Sequence, residues 1–111
     1  MKICIIQTTC KDMQEAKTIS KILLEKRLAA CIQISSIESL YIWKDELCED
    51  NEKLISIKTK KKNFKKIQRE IKENHSYDLP EIIAIDIENV SKEYKNFINE
   101  NCKTKLKEKN E

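Results

Sequence analysis

Four stretches of the chain carry apolar residues in the short runs or alternating patterns typical of strands. Residues 2–9 form a short apolar run that favours a strand covered by helices. Residues 31–43 and 52–59 are the longest β-prone stretch, and the polar segment 44–51 between them predicts the tip of a hairpin. The only proline precedes an apolar run at 81–87, which predicts a fourth strand.

Three other segments show the three- and four-residue spacing of amphipathic helices. Asp12, followed three residues later by Glu15, resembles a capping box and predicts a helix that continues to about Arg27. A lysine-rich helix is expected to begin near Asn63, and Ser91 is suited to cap a last helix. The buried face of this last helix is predicted to comprise Tyr94, Phe97 and Ile98.

The order β-α-β-β-α-β with an extra C-terminal helix predicts an α+β, ferredoxin-like fold, in which an antiparallel sheet carries two helices on one face. We expect one domain over residues 1–103 and a frayed, charged tail at 104–111. The isoleucine-rich strands leave an apolar sheet face short of cover, and the hairpin is long. Both features predict self-association.

The composition narrows the possible partners. The 22 Lys and Arg nearly balance the 19 Asp and Glu, and a net charge of +3 does not require nucleic acid or an anionic membrane as a partner. The lysine-rich run 58–66 lacks the stacking aromatics and glycines of an RNA-binding motif, which disfavours RNA binding. The chain contains no glycine, and this excludes the phosphate loop of P-loop enzymes and the dinucleotide fingerprint.

The distribution of apolar residues and cysteines predicts the compartment. No apolar run approaches the roughly 20 residues needed to span a bilayer. The apolar run at the start of the chain is too short for a signal peptide, because polar residues follow it at once. The five cysteines include no Cys-x-x-Cys pair and suggest neither a zinc site nor a disulfide framework. We therefore expect a soluble, cytoplasmic protein with reduced thiols.

Four motifs together resemble the CutA divalent-cation tolerance family over about residues 3–102. They are 27–32 (RLAACI), 39–43 (SLYIW), 57–59 (IKT) and 75–82 (HSYDLPEI). The resemblance implies a ferredoxin-like subunit and a tight homotrimer whose long hairpins wrap around neighbours. It also implies a link to copper and other divalent cations, and a likeness to trimeric PII-type signalling proteins.

The chain departs from the family pattern at three places. The family usually has proline where this chain has Ser76, so we expect a looser turn beside the histidine. It often has glycine in the hairpin tip, where this chain has Asp45. A cysteine implicated in copper binding in some members aligns with Thr8, so that ligand does not carry over.

His75 is the only imidazole in the chain, and it is the candidate metal ligand. If His75 faced a subunit boundary, a trimer would offer three symmetric copies of it, and imidazole suits Cu(II) and Zn(II). The alternative is that His75 ends the second helix and hydrogen-bonds a carbonyl. No general acid and base pair stands out, so we expect a binding protein and not an enzyme.

The resemblance also implies a cleft between subunits, near a set of aromatic and charged residues. These are Tyr41, Trp43, Glu52, Lys58, Tyr77 and Glu81. The cleft would suit a small anionic or amphipathic ligand, with Lys58 as the charge. The alternative is that the aromatics anchor the trimer interface and that Lys58 pairs with Glu81. Cys31 is predicted to pack in the core, and Cys48 is the candidate exposed thiol.

Two functions therefore stay open at this point. The first is a homotrimeric, CutA-like protein that binds copper or a related divalent cation and contributes to metal tolerance. The second is a PII-like trimeric signalling or scaffold module whose cleft between subunits receives a small ligand or a partner.

Overall fold

The structure, a computed structural model, describes residues 1–103, which form four strands and three α-helices. In chain order these are β1 (Ile3–Cys10), α1 (Met13–Glu25), β2 (Cys31–Trp43), β3 (Glu46–Lys60), α2 (Phe64–Glu73, after a 3₁₀ turn at Lys61–Asn63), β4 (Ile83–Ile87) and α3 (Lys92–Asn101). The element order is the predicted one. The predicted frayed tail at 104–111 lies outside the described residues.

The four strands form one antiparallel sheet in the order β2-β3-β1-β4. At its centre Ile6 of β1 lies opposite Ile57 of β3 on one side and Ala84 of β4 on the other. This order, with a helix in each of the two β-α-β connections, confirms the predicted ferredoxin-like α+β fold.

One face of the sheet is covered by α1 and α2 and contains the main core. The side chains of every second residue of β1 and β3 point to this face because strand side chains alternate. The fully buried aliphatic side chains of this core are Ile6, Ile19, Leu23, Ile55, Ile57, Ile67 and Ile71. Burying each contributes about 1.5–3 kcal/mol, so this face accounts for much of the stability of the fold.

The opposite face of the sheet, which we call the open face, is covered only at one end. There Ile98 and Cys102, at the C-terminal end of α3, pack against Ile3 of β1. Further along, Ile83 and Ile85 of β4 stay 45% and 47% exposed. The predicted apolar face without cover is therefore present in the single chain.

The predicted buried face of the last helix is only partly correct. Ser91 caps α3 as predicted, because its side chain accepts a hydrogen bond from the Tyr94 N–H at 3.1 Å. Ile98 is buried and Tyr94 is half-buried, but Phe97 is 42% exposed. The spacing was compatible with all three, but α3 covers only the end of the sheet and leaves Phe97 beyond it.

The hairpin tip is much shorter than predicted. The turn comprises only Lys44 and Asp45, whose φ angles of 50° and 66° are left-handed, and Trp43 pairs directly with Glu46. The predicted loop at 44–51 was wrong, because β3 already begins at Glu46. Most side chains on both faces of this part of the hairpin are exposed and polar. The sequence there lacks the alternation of apolar and polar residues that predicts a strand.

The first helix also ends earlier than predicted, at Glu25. Arg27 is left-handed with φ 59°, and the Arg27 and Leu28 N–H groups donate to the carbonyls of Leu24 and Leu23, both at 3.0 Å. This is the Schellman arrangement, which usually has glycine at the left-handed position.

None of the helices in residues 1–103 is long and apolar enough to cross a membrane.

Candidate functional site

A groove of about 830 Å³ lies between the β2–β3 hairpin and the loop that joins α2 to β4. We call this connection the 74–82 loop. Three aromatic side chains line the groove, Tyr41, Trp43 and Tyr77. Five carboxyl side chains also line it: Glu38, Asp50, Glu52, Asp78 and Glu81.

The groove contains five of the six residues predicted for the cleft between subunits: Tyr41, Trp43, Glu52, Tyr77 and Glu81. Lys58 does not line it. The Lys58 ammonium donates to Gln33 Oε1 at 2.7 Å and lies 5.7 Å from the centre of the Tyr94 ring, near α3. Within residues 1–103 the suggested ion pair between Lys58 and Glu81 does not form. The groove of the single chain therefore has no lysine, arginine or histidine in its lining.

Two tyrosine hydroxyls donate to carboxylates at the groove. Tyr77 Oη donates to Glu52 Oε2 at 2.7 Å, and Tyr41 donates to Asp50. Burial and the hydrogen bond to Glu52 raise the pKa of Tyr77 above its usual value, and the hydrogen bond to Asp50 raises the pKa of Tyr41 to about 12. Both phenols therefore stay protonated at neutral pH and keep the two carboxylates in place.

His75 lies beside the groove, where both ring nitrogens form hydrogen bonds. Nδ1 accepts from the Tyr77 N–H at 3.1 Å, and Nε2 lies 2.7 Å from the carbonyl oxygen of Thr9. Because Nδ1 accepts, the ring carries its proton on Nε2 and donates it to Thr9. His75 therefore links the 74–82 loop to the end of β1, and a metal ion would have to displace one of these bonds.

A second contact holds the same loop and was not predicted. The Glu15 carboxylate of α1 accepts from the Ser76 N–H at 2.7 Å and from the Ser76 hydroxyl at 3.1 Å. Asp12 accepts from the Glu15 N–H at 2.9 Å, but the Glu15 side chain is turned to the loop and does not complete the expected capping box. The turn beside the histidine is thus held by side-chain and main-chain hydrogen bonds. A proline at this position has no N–H to donate.

Comparison with known proteins identifies the family. The family described as CutA1 divalent ion tolerance protein matches residues 4–101, which is most of the chain. The chain belongs to the CutA divalent-cation tolerance family. A similar relative is the divalent-cation tolerance protein CutA of Thermus thermophilus, which is 38% identical over 98 residues, covering 87% of this chain and 95% of the relative.

Solved CutA structures have the same fold. The periplasmic divalent cation tolerance protein CutA of Archaeoglobus fulgidus is 37% identical, with a TM-score of 0.89 over 91% of this chain and 99% of that one. CutA1 of Oryza sativa is 28% identical, also with a TM-score of 0.89, over 93% of this chain and 95% of that one. The CutA match therefore extends over both elements that build the groove, the hairpin and the 74–82 loop.

The CutA chain distributes its possible metal ligands widely. Among residues 1–103, no three His, Cys, Asp or Glu side chains come close enough together to hold a metal ion. All five cysteines are unpaired. Cys10 is buried, and its burial raises the pKa of the thiol to about 11, so it is a poor source of thiolate. Cys31 and Cys48 are half-buried, and Cys48 lies opposite Tyr41 on the hairpin.

Proposed function

We propose that this CutA protein contributes to tolerance of divalent cations by binding copper or a related divalent ion as a homotrimer, without catalytic turnover. The observation that carries the proposal is the family match over residues 4–101. The relative in Thermus thermophilus is named a divalent-cation tolerance protein, and the match covers 95% of its length.

The geometry supports binding by an assembly. A single chain brings together no three candidate ligands among residues 1–103, so a metal site needs donors from more than one copy. The open face supplies a surface for self-association, because Ile83 and Ile85 are almost half exposed on it. His75 is the proposed imidazole ligand. Its Nδ1 becomes available once the hydrogen bond from the Tyr77 N–H opens.

Native mass spectrometry tests this proposal, because it measures oligomer mass and bound metal in one spectrum. The reduced protein is measured alone and with one equivalent of Cu(II) per subunit. We expect a trimer with a discrete number of copper ions, and fewer ions in His75→Ala at the same oligomer mass. A monomer, or an unspecific series of adducts on the trimer, would contradict the proposal. Full copper binding in His75→Ala would remove His75 from the ligand set.

The groove supports a second candidate function, a PII-like module that binds a small ligand or a partner between subunits. Five of the predicted cleft residues meet in this groove of about 830 Å³. Trp43→Ala is expected to abolish capture of the ligand or partner and to leave copper stoichiometry unchanged. The reverse result would favour metal binding alone. Lys58→Ala is the control for Trp43→Ala, because Lys58 lies outside the groove.

We also propose that the protein works in the cytoplasm. The support is that its five cysteines are all unpaired, as expected in a reducing compartment. Immunodetection in fractionated cells tests this location, and recovery in the periplasmic or membrane fraction would contradict it.

A further inference from the structure

The groove contains a largely buried carboxyl side chain, Glu52, that forms no ion pair within residues 1–103. Glu52 is 8% exposed. Its Oε2 accepts from Tyr77, whereas Oε1 has no hydrogen-bond partner among residues 1–103 and stays accessible from the groove. Burying a carboxylate is costly unless a cation compensates it, so Glu52 indicates a position for a cation.

The rest of the lining agrees with a positively charged ligand. Four further carboxyl side chains line the groove, and none of the lining residues is basic. The ligand predicted from the sequence was anionic or amphipathic, with Lys58 as the counter-charge. Lys58 lies outside the groove, and this reverses the expected sign of the ligand.

The shape and the aromatic lining favour an organic cation over a bare metal ion. The carboxylates are too far apart for three of them to coordinate one ion. Three aromatic rings line a volume of about 830 Å³, which is the size of a small-molecule site. Aromatic faces attract ammonium groups, and the Lys44 ammonium already lies 6.0 Å from the centre of the Trp43 ring.

We propose that the groove binds a small alkylammonium cation. The charge of the ligand is held by Glu52 and its alkyl part lies against Tyr41, Trp43 and Tyr77. This inference rests on the second candidate function, because it names the ligand class of that groove, and it does not depend on copper binding.

The only tryptophan of the chain, Trp43, lines the groove, so its fluorescence reports binding directly. The assembled protein, freed of metal, is titrated with n-butylammonium chloride at constant ionic strength. Sodium pentanoate and n-butanol carry the same butyl chain, the first with a negative charge and the second with no charge. We expect a saturable change with n-butylammonium and at least about tenfold weaker binding of the other two.

Two matched variants test the role of Glu52. Glu52→Gln keeps an oxygen that accepts from Tyr77 but removes the charge, and it is expected to weaken n-butylammonium binding about tenfold. Glu49→Gln removes a carboxylate of the same strand that does not line the groove, and it should bind like wild type. Circular dichroism establishes that both variants are folded.

Three results would overturn the inference: equal responses to n-butylammonium and n-butanol, equal affinity in Glu52→Gln and wild type, or no saturable response. A lysine of a neighbouring copy that fills the groove in the assembly would also give no saturable response, and the inference would then be overturned as well. Copper stoichiometry, measured on separate portions of the same preparations after Cu(II) is added, shows whether the metal-binding proposal holds.

Discussion

At the scale of single residues, the three aromatic positions of the groove and two of its five carboxyl positions were predictable, but the contacts that fix them were not. Tyr77 and Glu52 were named as neighbours because the family resemblance placed them near one cleft, and they lie in hydrogen-bond contact. The bond between Glu15 and Ser76 joins residues 61 positions apart. No local pattern predicts such a pair, because it depends on how the loop lies against α1.

The contact between Glu15 and Ser76 is expected to stabilise the 74–82 loop. Glu15→Ala removes the acceptor of two hydrogen bonds, and we expect a loss of about 1–2 kcal/mol in the free energy of unfolding. Urea unfolding at fixed protein concentration measures this loss. Gln14→Ala, at an exposed neighbouring position, is the control and should unfold as wild type does. Equal stability of the two variants would show that the contact contributes nothing.

The acidic groups with raised pKa values make stability fall at alkaline pH. The Cys10 thiol has a pKa of about 11 in the folded chain against an ordinary 9.0, so between these values the folded state holds more protons than the unfolded state. Stability then falls as pH rises from 9 to 11, and the raised pKa values of Tyr77 and Tyr41 extend the fall to higher pH.

Urea midpoints measured with reductant from pH 8 to pH 11 test this dependence. We expect Cys10→Ala to lose less stability than wild type over the interval, each relative to its own value at pH 8. Identical slopes would show that Cys10 does not cause the alkaline decline.

At the scale of elements, helices were predicted best where a cap residue and apolar spacing agreed, as at Asp12 and Ser91. The hairpin itself was predicted, but the start of its second strand was placed too late, since the alternation that identifies a half-buried strand disappears where both faces are exposed. A chain without glycine also lacks the usual markers of left-handed turns, so the positions of Arg27, Lys44 and Asp45 were hidden.

Residues that favour a left-handed backbone, placed at the two-residue hairpin turn, are expected to raise the free energy of unfolding. Lys44 and Asp45 are both left-handed, which is the geometry of a type I′ turn that prefers Asn-Gly. The double variant Lys44→Asn/Asp45→Gly should raise the free energy of unfolding by about 1 kcal/mol because it relieves backbone strain. The opposite change at one position, Asp45→Val, should lower it. Thermal unfolding followed by circular dichroism measures both, and a lower midpoint in the double variant would contradict this geometry.

At the scale of the whole molecule, pattern and composition were enough for the fold class, the order of the elements along the chain and the apolar open face. The number of subunits lies outside what periodicity predicts, because any closed symmetry buries such a face equally well. The same holds for the groove: its charge became visible only when Lys58 was found near α3 and away from the hairpin. The fold follows from local patterns, whereas the ligand preference follows from which side chains the fold brings together.

The open face is expected to hold the assembly together, and a charge on it should separate the subunits. Ile85 is 47% exposed in the single chain and lies opposite Ile5 at the centre of that face. Ile85→Glu would place a carboxylate in an apolar interface, so we expect native mass spectrometry to show mainly monomer where wild type gives a trimer. Met13→Glu changes a 37% exposed residue on α1, and its trimer should persist. A stable trimer in Ile85→Glu would place the interface elsewhere. If subunit contact is required for copper sites, the same variant should lose bound copper in proportion to the lost trimer.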